Sequence, residues 1–251
     1  MHPSLKPIAN AWLWTRPFYR AAADRRHTYT WAVDSRIRIS HEYRFIYIRI
    51  PKAANTMLSH TLFQHVQGVT AASNSEAKNA FDRPSDLTSR DINHVLRDYH
   101  TFIFVRNPYE RVLSAYLSKV RSTTREKKRY RDYVQRRLKL QSDTGISFTQ
   151  FCHYLTKGGL YDDPHWLPQH AYAAMLGTDT LNSIGKVERL EQDCQAIFEI
   201  LFPDQRTIQF STKSGSRNKS GCKIEEFYDA ECREIVRDLY RQDFSTFGYP
   251  A

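Results

Sequence analysis

Two stretches of this chain share one pattern: a short run of β-branched and aromatic residues, a polar turn, then apolar positions at helical spacing. The first runs from Arg44 to Thr56, RFIYIRIPKAANT. Phe45, Tyr47, Ile48 and Ile50 predict a buried strand, and Met57 to Val66 predicts the helix after the turn. The second, Tyr99 to Lys119, reads YHTFIFVRNPYERVLSAYLSK. Its strand covers Thr101 to Val105, and Asn107-Pro108 with Glu110 in the first turn is a good helix start. Between them Gly68 to Arg90 is polar and predicts a loop or insertion. The second helix pattern continues into Arg121 to Lys139. Phe148 to Leu155 and Leu190 to Phe202 predict further helices, and Ile224 to Tyr240 one amphipathic helix. No internal repeat is present. Strands alternating with helices imply an α/β fold: a central parallel sheet flanked by helices in three layers, with a site at the carboxyl ends of the strands.

The turns carry the chemistry. A loop between a strand and a helix N-terminus offers free backbone N–H groups and the positive end of the helix dipole to an anion. Lys52 adds a point charge, Asn55 and Thr56 add short polar groups, and the small Ala53 and Ala54 permit close approach. The loop lacks the GxxxxGK[ST] run of a Walker A motif. A plain strand-to-helix capping turn is the bland alternative. In the second unit Arg106 ends the strand, and Arg111, Ser114 and Ser118 share a helix face. Arg106 and Ser114 suit a second phosphate, with an Arg106–Glu110 ion pair as the bland alternative.

Together the two units resemble the phosphosulfate and 3′-phosphate motifs of the carbohydrate sulfotransferases that use PAPS (3′-phosphoadenosine 5′-phosphosulfate), most closely the chondroitin and dermatan 4-O-sulfotransferase branch. Further matches are Ile92-Asn93-His94-Val95-Leu96, His165-Trp166, Gly185-Lys186-Val187-Glu188-Arg189-Leu190, and Tyr240-Arg241-Gln242-Asp243-Phe244 through Phe247-Gly248-Tyr249. The resemblance implies a P-loop-like fold in a single sulfotransferase domain, 1–251, with an N-terminal extension (1–43) before a catalytic core (44–251). It implies that Lys52, Ala53, Ala54, Asn55 and Thr56 hold the 5′-phosphosulfate, that Arg106 and Ser114 hold the 3′-phosphate, and that PAP is released with no metal required. Animal relatives carry a membrane anchor and a cysteine pair after His-Trp. Here no cysteine stands near Ala173 and Leu176, and no run approaches the roughly twenty apolar residues of a span. The expectation is therefore a cytoplasmic, bacterial member with reduced thiols at Cys152, Cys194, Cys222 and Cys232. Trp12, Trp14, Phe18 and Tyr19 among Arg16 and Arg20 suggest core packing or, second, a peripheral membrane contact.

Composition adds a direction. The 251 residues are 41% hydrophobic, enough for a sizeable core, and carry a net charge of +10. Such a charge favours polyanionic partners. The basic run Arg121 to Lys139 reads equally as a solvated face or as a wall that attracts an acidic glycan. Transfer of a sulfuryl group to a hydroxyl benefits from a general base, and histidine suits it. His94, between the two motifs, and His165 are the candidates, with Trp166 placed to stack on a sugar. Glu188 suits orienting a site lysine or histidine, or a structural ion pair. Arg217, Asn218, Lys219 and Ser220, in the Gly/Ser-rich segment Lys213 to Lys223, match a stretch that in relatives precedes the last helix; they suit nucleotide or acceptor contact, against a plain linker. The rival functions are a P-loop nucleotide kinase, disfavoured by the absent Gly-rich loop, and a non-enzymatic nucleic-acid or polyanion binder, disfavoured by the few aromatics in the basic run. No nucleic-acid partner is expected.

Overall fold

The computed structural model describes residues 5–141, 145–177, 180–205, 210 and 223–251. It divides into two compact units, Met1–Val105 with Ala171–Gly215, and Arg106–His170 with Ser216–Ala251.

The first unit holds the sheet. Strands β1 (Ile37–Ser40), β2 (Phe45–Ile48), β3 (His100–Val105) and β4 (Ser183–Lys186) lie in the order β1-β2-β3-β4. β2, β3 and β4 are mutually parallel, as the alternating pattern predicts, and β1 adds an antiparallel edge strand. That edge comes from residues read as the N-terminal extension, which also forms α1 (Lys6–Trp14), α2 (Pro17–Ala21) and α3 (Thr30–Asp34). Phe18 and Tyr19 are fully buried there, the packing role expected for them, whereas Trp12 is exposed.

Helix α4 (Asn55–Gln67) follows β2 and ends on Gly68 at φ 68°, a left-handed C-cap that costs glycine nothing. The polar stretch after it is not merely a loop: Ser73 caps α5 (Asn74–Asn79) by accepting from the Glu76 N–H at 3.1 Å. Helix α6 (Asp91–Asp98) then leads into β3. Phe45, Tyr47, Phe102 and Phe104 pack with Leu58 and Leu62 of α4 and with later residues Ile197, Phe198 and Leu201, each such buried side chain contributing about 1.5–3 kcal/mol. Gly185 makes this possible, since a Cβ there would lie 2.4 Å from the Phe104 ring.

The second unit is helical. α7 (Pro108–Ala115) opens under Asn107, whose side chain accepts from the Tyr109 N–H at 2.9 Å. The helix does not run on through the basic segment. It passes through a π-helical turn, Tyr116–Val120, breaks, and resumes after a 3-10 turn as α8 (Lys128–Leu138). Charges of that segment are partly spent internally: Arg137 pairs with Asp162 at 2.9 Å and Lys128 with Asp132 at 3.0 Å. α9 (Phe148–Thr156) starts with a Ser147–Gln150 capping box. The chain then leaves through α10 (His170–Ala173) and, after β4, forms α11 (Leu190–Leu201).

The amphipathic C-terminal pattern is three helices rather than one: α12 (Ile224–Phe227), α13 (Ala230–Leu239) and α14 (Arg241–Phe247). Asp229 makes the break by turning its carboxylate onto the Cys232 N–H at 2.7 Å. α13 packs on α7 and α9, around a core that contains Trp166, Phe151, Tyr154 and Tyr240. Cys152, Cys194 and Cys232 are buried free thiols. Among the described residues no helix is long and apolar enough to cross a membrane.

Candidate active site

The Pro-Lys turn is a strained backbone loop. Lys52 and Ala54 both have positive φ, 72° and 52°, although neither is glycine. Left-handed backbone costs an L-residue about 1–2 kcal/mol, so two such residues within three positions mark a loop whose shape is over-determined by its surroundings. Ala53 between them is fully buried and keeps negative φ. Alternating hand turns successive N–H groups toward one side, the geometry of an anion-binding nest. The helix behind it agrees. α4 opens without a side-chain cap, as α6, α8 and α11 also do, but it alone of these follows a left-handed residue, Ala54, at its N-cap. Asn55 is its first residue, and its side-chain oxygen accepts from Ser59 Oγ at 3.2 Å, while Thr56 is half-buried in the first turn.

Two other expected residues of the first unit stand apart from the loop in sequence and in secondary structure. His94 lies on α6, 48% exposed, with Nδ1 2.7 Å from Asp98 Oδ2. Glu188 is exposed on the 3-10 turn after β4.

In the second unit Arg106 is the first residue, joined directly to the end of β3. Its guanidinium donates to Glu110 Oε2, at 2.7 Å from Nη2 and 3.2 Å from Nε, so the bland ion pair is present. Ser114 is buried two turns into α7, and Arg111, one turn before it, is fully buried. The backbone of Arg106 is clamped by a residue that sequence reasoning missed. Gln169 Oε1 accepts from the Arg106 N–H and its Nε2 donates to the Arg106 carbonyl, both at 2.9 Å. Gln169 is itself fixed by Asp243, whose carboxylate accepts from the N–H groups of Gln169 and His170 at 2.8 Å and meets His170 Nδ1 at 2.8 Å. Gln169 and Asp243 are both fully buried. The signal was available in part, since Asp243 stands in the Tyr240–Phe244 match and Gln169 follows His165-Trp166-Leu167-Pro168 closely. The 74-residue separation of Gln169 and Asp243 is not readable from spacing.

His165 forms a dyad: its Nδ1 is 2.5 Å from Asp163 Oδ1, and that same oxygen accepts from the His165 N–H at 3.0 Å. Burial opposes ionisation of Asp163, but hydrogen bonding to His165 and its charge prevail and hold the carboxyl below its ordinary range. Held by a carboxylate at Nδ1, the ring presents Nε2 as its second nitrogen, the arrangement of an oriented base.

Trp166 corrects an expectation. It has no exposed surface, donates Nε1–H to the Gly159 carbonyl at 2.9 Å, and packs against Phe151, Tyr154 and Tyr130. An indole with no free face cannot stack on a sugar, so its role is structural. Arg217, Asn218, Lys219 and Ser220 lie outside the described residues. Among the described residues no group of three or more His, Cys, Asp or Glu is placed to hold a metal ion.

The chain is similar to several curated carbohydrate sulfotransferases. Carbohydrate sulfotransferase 14 of Danio rerio is 29% identical over 239 residues, covering 85% of this chain and 62% of that relative. Carbohydrate sulfotransferase 10 of Xenopus laevis is 25% identical over 248 residues, covering 86% of this chain and 68% of its own. Carbohydrate sulfotransferase 11 of Mus musculus is 28% identical over 175 residues, covering 63% and 49%. The chain thus spans about three-fifths of the length of the first of these. No solved structure gives a significant match. The Sulfotransferase family profile matches residues 35–250, a span that takes in the strained Pro-Lys loop, the Arg106 strand end, the His165 dyad and Asp243, and the chain belongs to that family.

Proposed function

We propose that this protein transfers a sulfuryl group from PAPS to a hydroxyl of a carbohydrate acceptor and releases PAP. The observation that carries the reading is the uncapped N-terminus of α4 behind a loop strained at Lys52 and Ala54, a cradle suited to an oxyanion. The carbohydrate sulfotransferases among the relatives favour sulfuryl over phosphoryl transfer.

PAPS supplies an activated sulfuryl group on a phosphate leaving group. Lys52 and the N–H groups of residues 54–56 neutralise charge that grows on the bridging and leaving phosphate oxygens, an effect worth about 10²–10³ in rate for one preorganised donor; the Ala53 N–H is held by the Ile50 carbonyl. Arg106 and Ser114 bind the 3′-phosphate, and Gln169 fixes the peptide from which Arg106 projects. The acceptor oxygen bonds to sulfur as the sulfur–oxygen bond to phosphate breaks, and the hydroxyl proton passes to a histidine. His165 is better ordered for this than His94, because its carboxylate partner is buried and that of His94 is at the surface. No protein-bound metal is needed.

The direct test follows label from ³⁵S-PAPS into a panel of neutral and acidic oligosaccharides. The proposal expects acceptor-dependent label transfer, reduced at least a hundredfold in Lys52→Ala and in His165→Ala. Transfer that survives in Lys52→Ala, or none to any saccharide, contradicts it.

A further inference from the structure

The pairing of β1 with β2 gathers three arginines on one face of the sheet. Arg38 lies opposite Tyr47, and the ladder continues by one rung, with the Arg49 N–H donating to the Arg36 carbonyl at 2.9 Å. Residues opposite each other share a face, and the faces alternate. Arg36, Arg38, Tyr47 and Arg49 therefore line one side, and Ile37, Ile39, Ile46 and Ile48 the other. Next to them α5 brings Lys78, half-buried, and the following turn brings Arg83.

Only one of these arginines is fully used. Arg38 donates from Nε to the Lys78 carbonyl, from Nη1 to the Ile37 carbonyl and from Nη2 to Asn79 Oδ1, at 2.6, 3.0 and 2.8 Å, and so ties α5 to the sheet. Arg49 is 3% exposed and donates Nη2–H to the Ser35 carbonyl at 2.9 Å. Its Nε and Nη1 are shielded from solvent and meet no acceptor among the described residues; the same holds for Arg36 Nε and the Tyr47 hydroxyl. The cations Arg38, Arg36 and Arg83 act on Arg49 in one direction, and the Tyr47 hydroxyl acts in the other. The nearby carboxylates are engaged elsewhere: Asp34 accepts from Ser85 and Tyr19, and Asp86 from the Arg83 N–H. Burial first, then these like charges, push the Arg49 guanidinium down to about 9. A buried guanidinium with idle donors, cations beside it and no carboxylate bonded to it among the described residues is short of counter-charge, and its fork matches a sulfate or carboxylate. The cluster lies along the β1–β2 pair, on the side of β2 away from β3.

We propose that the half-buried Arg36 and Lys78, with the buried Arg49 behind them, form an anion subsite, distinct from the Pro-Lys loop, whose rim takes a sulfate or carboxylate group of an acidic saccharide acceptor. The proposal rests on the carbohydrate-acceptor reading above. It implies that negatively charged sugars are taken by a built site and not by net charge alone.

The test uses the full chain, with Arg49→Gln and, at the rim where folding is less at risk, Lys78→Gln and Arg36→Gln. Inorganic sulfate is titrated with thermal unfolding as readout, each variant also carrying Lys52→Ala and compared with Lys52→Ala alone, so that what the loop's N–H groups contribute is common to both. Calorimetry then compares a uronate-containing oligosaccharide with its carboxyl-reduced neutral counterpart, and measures PAP. The subsite predicts that the sulfate-induced rise in melting temperature falls by at least half in each variant. It also predicts that the preference for the acidic oligosaccharide falls at least fivefold while PAP affinity stays within twofold. An unchanged sulfate response in both Arg49→Gln and Lys78→Gln overturns the subsite, as does an unchanged saccharide preference. A loss of PAP affinity in the same variants also overturns it, by assigning the anion to the nucleotide. Failure of wild type to bind PAP refutes the sulfotransferase reading instead, and it is recorded separately from the sulfate response.

Discussion

Replacing Gln169 by leucine tests whether the setting of Arg106 matters to nucleotide binding. Gln169 has no exposed surface and makes two 2.9 Å hydrogen bonds to the peptide groups of Arg106. Leucine nearly conserves volume, so no large cavity forms, but one N–H and one carbonyl lose their partners. Each unsatisfied group costs about 1–3 kcal/mol when buried, and these two are partly buried, which gives about 2–4 kcal/mol. For a chain of this size that lowers the melting temperature by roughly 4–16 °C. Freed backbone at Arg106 also moves its guanidinium relative to the 3′-phosphate, weakening PAP by about tenfold, or about 1.4 kcal/mol. Urea unfolding followed by circular dichroism measures the first effect and calorimetry the second. A variant as stable as wild type refutes the clamp. A destabilised variant that binds PAP normally leaves Gln169 as packing only and refutes its positioning role.

Other residues give sharp outcomes. Ala54→Val places a β-branched residue at φ 52° and should cost about 2 kcal/mol and loosen PAP binding, read by unfolding and calorimetry; unchanged stability contradicts the strained loop. Asp163 is held below the ordinary carboxylate range, so its contribution is fully present above about pH 4, the unfolded value, and drains away as pH falls through the lower folded value. Melting temperature between pH 5 and 2 should therefore fall less steeply in Asp163→Asn; parallel profiles would show that the His165 pair does not act this way. Trp166→Ala should lose about 3–5 kcal/mol, while Trp166→Phe keeps acceptor KM near wild type. A rise in KM without loss of stability in Trp166→Phe would restore the sugar-stacking expectation.

Much of the fold was legible because its signals are local. The strands at Phe45–Ile48 and His100–Val105 read directly from runs of β-branched and aromatic residues, and one helix start from Asn107-Pro108. What failed was continuity. The helix after Arg106 breaks at Ser122 to Thr124, and the C-terminal helix breaks at Asp229, where the charged and apolar spacing carries on across the break. The sequence did contain a capping signal in Asp229, but the longer amphipathic pattern outweighed it. The site divided similarly. The Pro-Lys loop is a contiguous motif, whereas the Gln169–Asp243 tie and the burial of Trp166 and Arg49 depend on chain segments far apart in sequence, which periodicity does not connect. Aromatic residues beside a histidine read as a sugar platform, but the core claimed Trp166.

The central claim, that the Pro-Lys loop and Arg106 serve a phosphosulfate nucleotide, is tested most directly by calorimetric titration of wild type, Lys52→Ala and Arg106→Ala with PAP and with ATP and Mg²⁺. The account predicts that wild type binds PAP at least tenfold more tightly than ATP, and that each substitution weakens PAP at least tenfold. Tighter binding of ATP with Mg²⁺, or PAP binding indifferent to both substitutions, would contradict it.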